Sequence, residues 1–158
     1  MSNNKNYFLT LIPLLVFFDY LSKNWMIENI FLPEKIIKIN QFLNLTPVWN
    51  KGISFGMFSS IEDINFFMII VTITIVLFLF LWFFKTNSIF QRLSFILIIS
   101  GALGNLLDRF KYQAVVDFVD IHVYELHWPA FNLADSLITI GALIYLIGIF
   151  SSENNKYV

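Results

Sequence analysis

The sequence predicts an all-α integral membrane protein with four transmembrane helices and a small β-rich subdomain built from loops 24–63 and 109–130. Three observations lead there. Hydrophobic residues make up 58% of the 158 positions, and 19 residues are Phe. An ordinary soluble domain is about 45–50% apolar, and one core of this length cannot hide so much Phe, Ile and Leu from water. The run "INFFMIIVTITIVLFLFLWFF", from Ile64 to Phe84, carries no charge and satisfies the about 20 residues that a membrane crossing requires. Finally, the loops between the apolar runs alternate apolar and polar residues, as half-buried strands do.

The first span is placed at 7–23. Its start, "MSNNKNYFLTLIPLLVFFDYLSK", imitates a signal peptide, with one Lys before an apolar run. No small-x-small cleavage site follows, and the run ends on Asp19 and Lys23, so it reads as a retained span rather than a cleaved leader. The second span is 64–84. The third, 93–109, and the fourth, 130–150, rest on the shorter apolar runs Leu93–Leu107 and Ser136–Phe150. Each reaches a full crossing only by including polar residues at one end.

Alternating directions then bring those polar ends together. Asp19 ends span 1, Asn105 and Asp108 end span 3, and Asp135 begins span 4. Loops 24–63 and 109–130 open on that same face, whereas span 2 is a lipid-facing wall. In loop 24–63, "IIKINQFLNLTPVWNKGISFGMF" combines β-branched and aromatic residues with an Asn-Lys-Gly turn cue. "FVDIHVYELHW" alternates in loop 109–130. Together they predict a small sheet resting on the helix ends. No repeat or second domain is visible, and 1–158 reads as a single domain.

Charge and cysteine exclude several classes. A net charge of −1 gives no general pull toward nucleic acid. The absence of Cys removes disulfides, thiol nucleophiles and thiolate metal sites. The Lys and Arg distribution is equivocal. Lys5, Lys85, Arg92 and Lys156 lie on one side, and Lys23, Lys35, Lys38, Lys51, Arg109 and Lys111 on the polar face. That count leans toward a cytoplasmic polar face.

Ionisable groups in spans tend to line pathways or sites. Asp117 and Asp135 meet if loop 118–130 folds back over the helix ends. Two carboxylates in contact resist double ionisation and share a proton, so that one serves as base toward water and the other as acid toward a carbonyl oxygen. The alternative is that both cap helices or pair with Arg109. In "SGALGNLLDRF" the small residues at 100, 101, 102 and 104 allow close helix approach. Arg109 either pairs with Asp108 or reaches headgroups. Asn50 and Gly52 suit a turn, and Asp19 with Lys23 forms an i, i+4 pair. His122, Glu125 and His127 invite a metal reading, but alternation places His122 and His127 on opposite faces, against such a site. A proton-coupled transporter and a purely structural membrane protein are the rival readings. The first more often shows midplane sites, broken helices and repeats.

"WNKGISFG", "SGALGNLLDR", "VVDF" and "FNLADS", in that order among four spans, resemble the lipoprotein signal peptidases, the type II signal peptidases of bacteria. "DYLSK" resembles that family's first-span segment, and the match covers Asp19 to about Gly141. Ser54 stands where many members have Ala. The resemblance implies an aspartic endopeptidase of the bacterial inner membrane. It cuts prolipoproteins just before a diacylglyceryl-modified cysteine, without metal or cofactor. It implies Asp117 and Asp135 as the catalytic pair, with Asp19, Asn50, Gly52, Asn105, Asp108, Arg109 and Asn132 in support. It also implies lipidated precursors and membrane lipids as partners, with no nucleic acid, and the chain is expected to act as a monomer. Both termini would be cytoplasmic and the site extracytoplasmic, near the outer leaflet. The expectation adopted here follows the resemblance over the charge count.

Overall fold

The computed structural model describes residues 5–52 and 63–154. Ser54 and the "ISFG" end of its motif lie outside the described residues. The chain runs α1 (Lys5–Leu9), α2 (Leu11–Ile30), β1 (Ile37–Asn40), β2 (Leu43–Asn50), α3 (Ile64–Lys85), α4 (Ile89–Tyr112), β3 (Val115–Val123), β4 (Leu126–His127) and α5 (Leu133–Asn154). It is mostly helical, with one small antiparallel sheet. Helix α4 is central and packs against α2, α3 and α5.

Two helices run past the bounds expected of their spans. The first apolar run is not one helix ending at residue 23. It breaks at Thr10, whose hydroxyl donates to the Tyr7 carbonyl at 2.7 Å, and Pro13 has no N–H to continue the ladder back to Leu9. Helix α2 then continues to Ile30, because Met26, Ile27, Ile30 and Phe31 pack against Val116 and Phe118 under the sheet. Helix α4 likewise extends to Tyr112, where Gln113 takes a left-handed conformation, φ 57°, and stops it. Loops 24–63 and 109–130 are therefore each partly helical.

Helix α3 is apolar all round, yet Phe83 is its only buried residue among those described. Phe66, Phe67, Leu77, Phe78 and Leu81 are exposed. A helix with this surface needs apolar surroundings. By length and composition α3 and α4 can each cross a membrane, and the apolar part of α5, Leu133–Ile149, is shorter. Phe83, Phe95, Ile96 and Ile99 form the core between these helices. The small residues of α4 serve close packing, as expected: a Cβ at Gly101 would collide with the Ala134 carbonyl of α5, and one at Gly104 with the Asp19 carboxylate.

The sheet has the order β1-β2-β3-β4, all pairs antiparallel. β2 runs against β3 with Leu43 opposite Ile121 and Val48 opposite Asp117. The register shifts between Leu45 and Val48, where Pro47 has no N–H for a ladder bond. The β1–β2 turn falls at Gln41–Phe42, where the Phe42 N–H donates to Asn40 Oδ1 at 2.8 Å, not at the Asn-Lys-Gly cue. That cue ends β2 instead. Phe31, Trp49 and Tyr112 pack in sequence, edge-on and tilted, with ring centroids 4.9 and 5.3 Å apart, joining the ends of α2 and α4 to β2.

The two histidines are not on opposite faces. Tyr124, φ 53°, helps turn the chain back, so His122 pairs with His127 across the hairpin and their rings stack at 4.8 Å. His127 Nδ1 lies 2.7 Å from Asp120 Oδ1. Burial works to raise the Asp120 pKa, but contacts from His127, Asn44 and Thr46 outweigh it and hold the carboxyl below its usual range.

Candidate active site

Asp117 comes from the middle of β3 and is buried. Its Oδ2 accepts from Asn50 Nδ2 at 2.9 Å and its Oδ1 from Asn132 Nδ2 at 2.7 Å. Asp135 comes from the first turn of α5 and accepts from Asn105 Nδ2 at 2.8 Å. The fold-back that brings them together is secured by the Val119–Phe131 bridge, through Val119 N–H to Phe131 O at 2.8 Å and its reciprocal at 3.1 Å.

Asn132 connects the two carboxylates. Its backbone N–H donates to Asp135 Oδ2 at 3.2 Å, and its Oδ1 accepts from the Asp135 N–H at 2.8 Å. This reciprocal pair is a capping box at the start of α5. The side-chain amide then remains free to donate to Asp117, with longer contacts to Asn105 Oδ1 at 3.1 Å and the Val116 carbonyl at 3.3 Å.

The Asp117 carboxyl is pushed up from 3.8 to about 7. Burial contributes most and the neighbouring Asp135 charge next, against the bonds from Asn50 and Asn132. A carboxyl so placed can hold a proton near neutral pH.

The remaining expected residues also converge. Asn50 Oδ1 accepts from the Gly52 N–H at 3.1 Å, and the Gly52 carbonyl accepts from Arg109 Nη2 at 2.8 Å. Arg109 thus braces the end of β2, and it does not pair with Asp108. Asp108 instead lies 2.8 Å from the Lys23 ammonium and accepts from the Val116 N–H at 3.1 Å. Asp19 also lies 2.8 Å from Lys23 and accepts from the Ala134 N–H at 2.9 Å. Neither Asp19 nor Asp108 touches Asp117 or Asp135 by a direct hydrogen bond; both act on the backbone beside them.

Two cavities reach Asp135. One of about 600 Å³ is lined by Asn50, Asp117, Phe131, Asp135, Ser136 and Ile138, among others. The other, about 280 Å³, runs between α3, α4 and α5 past Met68, Thr72, Ile98 and Ala102 to Asn105, Arg109 and Asp135. The two carboxylates, their neutral amide donors and an apolar approach thus meet at these cavities.

The family model for signal peptidase (SPase) II matches residues 11–151. The chain belongs to the signal peptidase II family. It is 41% identical over 128 residues to a lipoprotein signal peptidase of Anaplasma phagocytophilum (strain HZ), covering 81% of each chain. It is 39% identical over 158 residues to that of Pelagibacter ubique (strain HTCC1062), covering 98% of this chain and 94% of the other. A bacterial membrane enzyme solved by the in meso method at 2.3 Å resolution superposes with a TM-score of 0.81 at 30% identity, over 96% of this chain and 92% of that one. Membership of the signal peptidase II family makes the chain a protease and a membrane protein, and these relatives give no support to the transporter reading.

For this signal peptidase II family member, sequence reasoning missed two residues near the pair. Lys23 belongs to the "DYLSK" match and pairs with Asp19 at i, i+4, but its contacts to Asn105 and Asp108 are not visible in the sequence, and a Lys inside an expected span is itself a signal. Asn65 exchanges bonds with Arg109, accepting from Nη1 and donating to the backbone carbonyl, each at 3.3 Å. Its signal was a lone amide in the first turn of an otherwise apolar helix.

Proposed function

We propose that the protein removes signal peptides from prolipoproteins as an aspartic endopeptidase, hydrolysing the bond before a diacylglyceryl-modified cysteine. The observation that carries this reading is that Asp117 and Asp135 line one cavity and are both bonded to Asn132. Asp117 holds a proton at rest, and Asp135 is the base. Asp135 takes a proton from water as the water oxygen attacks the scissile carbonyl carbon. Asp117 gives its proton to the carbonyl oxygen, which yields a gem-diol. When the C–N bond breaks, the leaving nitrogen takes the proton from Asp135, and a gem-diol hydroxyl returns one to Asp117. The pair ends as it began, and no metal or cofactor takes part.

Asn50, Asn105 and Asn132 orient the carboxylates, Arg109 and Gly52 brace the end of β2, and Asp19 and Asp108 hold the backbone next to the pair. The chain works as one domain, 1–158, and as a monomer. Helices α2, α3, α4 and α5 all cross the bacterial inner membrane, with both termini cytoplasmic and the sheet outside. Membrane lipid covers α3. The precursor's signal helix enters from the bilayer along the cleft between α3, α4 and α5.

The test is cleavage of a diacylglyceryl-modified precursor by the purified full-length protein. Asp117→Asn and Asp135→Asn keep side-chain volume and are expected to lose turnover by about 10²–10⁴-fold or more while remaining folded. Near-normal turnover in either variant removes the aspartic assignment.

A further inference from the structure

Lys23 is 2% exposed, takes no part in the reaction just described, and lines neither cavity that reaches Asp135. An ammonium has three protons to donate, and Lys23 has three acceptors. Asp19 Oδ2 and Asp108 Oδ2 each lie 2.8 Å from Nζ, and Asn105 Oδ1 lies at 2.9 Å. A simple i, i+4 pair would engage Asp19 alone. Enclosing a cation among partners from two helices is costly in desolvation, and here two carboxylates at ion-pair distance and one amide oxygen offset it.

Each of the three acceptors makes a second contact that ends at the catalytic pair or on the residue before one of its members. Asp19 Oδ1 takes the N–H of Ala134, the residue before Asp135. Asp108 Oδ2 takes the N–H of Val116, the residue before Asp117. Asn105 turns its Nδ2 to Asp135 Oδ1 at 2.8 Å. The last contact depends on amide orientation. Lys23 only donates, so it selects the carbonyl end of Asn105 and leaves the NH₂ end for Asp135. A flipped amide would set oxygen against carboxylate. Asn132 also donates to Asn105 Oδ1, at 3.1 Å, but its NH₂ is shared with Asp117 and the Val116 carbonyl.

We propose that Lys23 is a positioning residue for the proteolytic reaction, a buried cation that sets the backbone on both sides of the site and the amide of Asn105 without touching substrate. The inference rests on the aspartic reading of Asp117 and Asp135. Its consequences separate charge and geometry from packing. Misplacing a reacting group by about 1 Å costs on the order of 10²-fold in rate. The Lys23 charge also acts on Asp117, lowering its pKa against burial and Asp135. The other charged groups around the cluster are Asp19 on α2, Asp108 and Arg109 on α4, and Asp135 on α5.

The experiment uses the full-length protein in detergent micelles with the diacylglyceryl-modified precursor. Lys23→Met keeps length and apolar stem and removes the charge. The expected result is a kcat loss of about 100-fold, a KM close to that of the wild type, and an alkaline limb of the pH–rate profile displaced to higher pH. A packing role alone would lower the melting temperature and leave kcat and the pH profile of the folded enzyme unchanged, and that result overturns the proposal. Lys23→Met with Asp108→Asn removes one of the two buried carboxylate charges left without a cation, and is expected to recover part of the stability without recovering kcat. Lys23→Arg keeps the charge but alters donor placement, and is expected to fold with reduced kcat. Full turnover in the Arg variant, with both Met variants unfolded, would reduce Lys23 to a structural charge and also overturn it. If Asp117→Asn is inactive while Lys23→Met turns over normally, this inference fails alone. If Asp117→Asn remains active, the aspartic reading and this inference fail together.

Discussion

Asn132 donates its side-chain amide to Asp117 Oδ1 at 2.7 Å, from a position fixed by its own capping of α5. The polar hydrogen-bond donors to both site carboxylates are neutral: Asn50 and Asn132 on Asp117, Asn105 and the Asn132 backbone on Asp135. Among the described residues, no ion pair reaches either one. Neutral donors orient a carboxylate while favouring its charged form less than a bonded guanidinium would. Burial therefore prevails at Asp117, and its proton is retained to about pH 7.

That retention predicts a falling alkaline limb. Asp117 is raised from 3.8 to about 7, so its proton is lost as pH rises through about 7. Turnover should decline above that value. A pH–rate profile on the purified protein checks this. A rate still climbing well above neutrality would mean that no proton is needed on Asp117. Stability has the same sign: a carboxyl raised by burial favours the folded state most below about 3.8 and progressively less up to about 7.

Asn132 has two separable roles. Asn132→Ala removes the cap, which costs about 0.5–2 kcal/mol of stability, and also removes the donor to Asp117. Asn132→Ser restores a capping oxygen but not the amide. Thermal melting should therefore improve from Ala to Ser, while kcat stays low in both, by about 10²-fold. Equal recovery of melting temperature and kcat in the Ser variant would reduce Asn132 to a cap.

How far this was legible in the sequence follows from what each residue depends on. Asp117 and Asp135 stood out because carboxylates in apolar surroundings require a reason, and Asn105 and Arg109 because they crowd the end of one apolar run. The sheet was legible from alternation. The stacked histidines were not, because alternation describes one strand and a two-residue hairpin turn reverses it. The length of α2 was hidden for a related reason: Met26, Ile27 and Ile30 extend the helix only because Val116 and Phe118 cover them. Lys23 had a visible neighbour at Asp19, but its partners Asn105 and Asp108 become adjacent only when α2 packs on α4.

The proposed topology places loop 24–63 and the α3–α4 connection on opposite sides of the membrane. Lys35 and Asn87 are both exposed, and the chain has no Cys, so single cysteines at these two positions report separately. An impermeant thiol reagent added to intact cells should label Lys35→Cys and spare Asn87→Cys until the membrane is opened. Labelling of both from outside would contradict the four-span arrangement.

The last prediction concerns depth. Asp135 opens onto a cavity whose far wall is Met68, Thr72 and Ile98, side chains of the two helices apolar and long enough to cross a membrane. A scissile bond reaching Asp135 from that direction is carried by a segment already in the bilayer, so its height must be set by something that stays in lipid. A diacyl chain on the residue after the bond supplies this, each buried methylene contributing about 0.8 kcal/mol of anchoring. Changing that cysteine to serine in an otherwise identical precursor removes the anchor and alters no peptide contact except one side chain. The serine precursor should bind poorly and be cut scarcely at all, with kcat/KM falling more than for a change of residue two places further on. Equal cleavage of the two precursors would mean that peptide contacts alone set the register, and the assignment of lipid-dependent specificity to this site would be withdrawn.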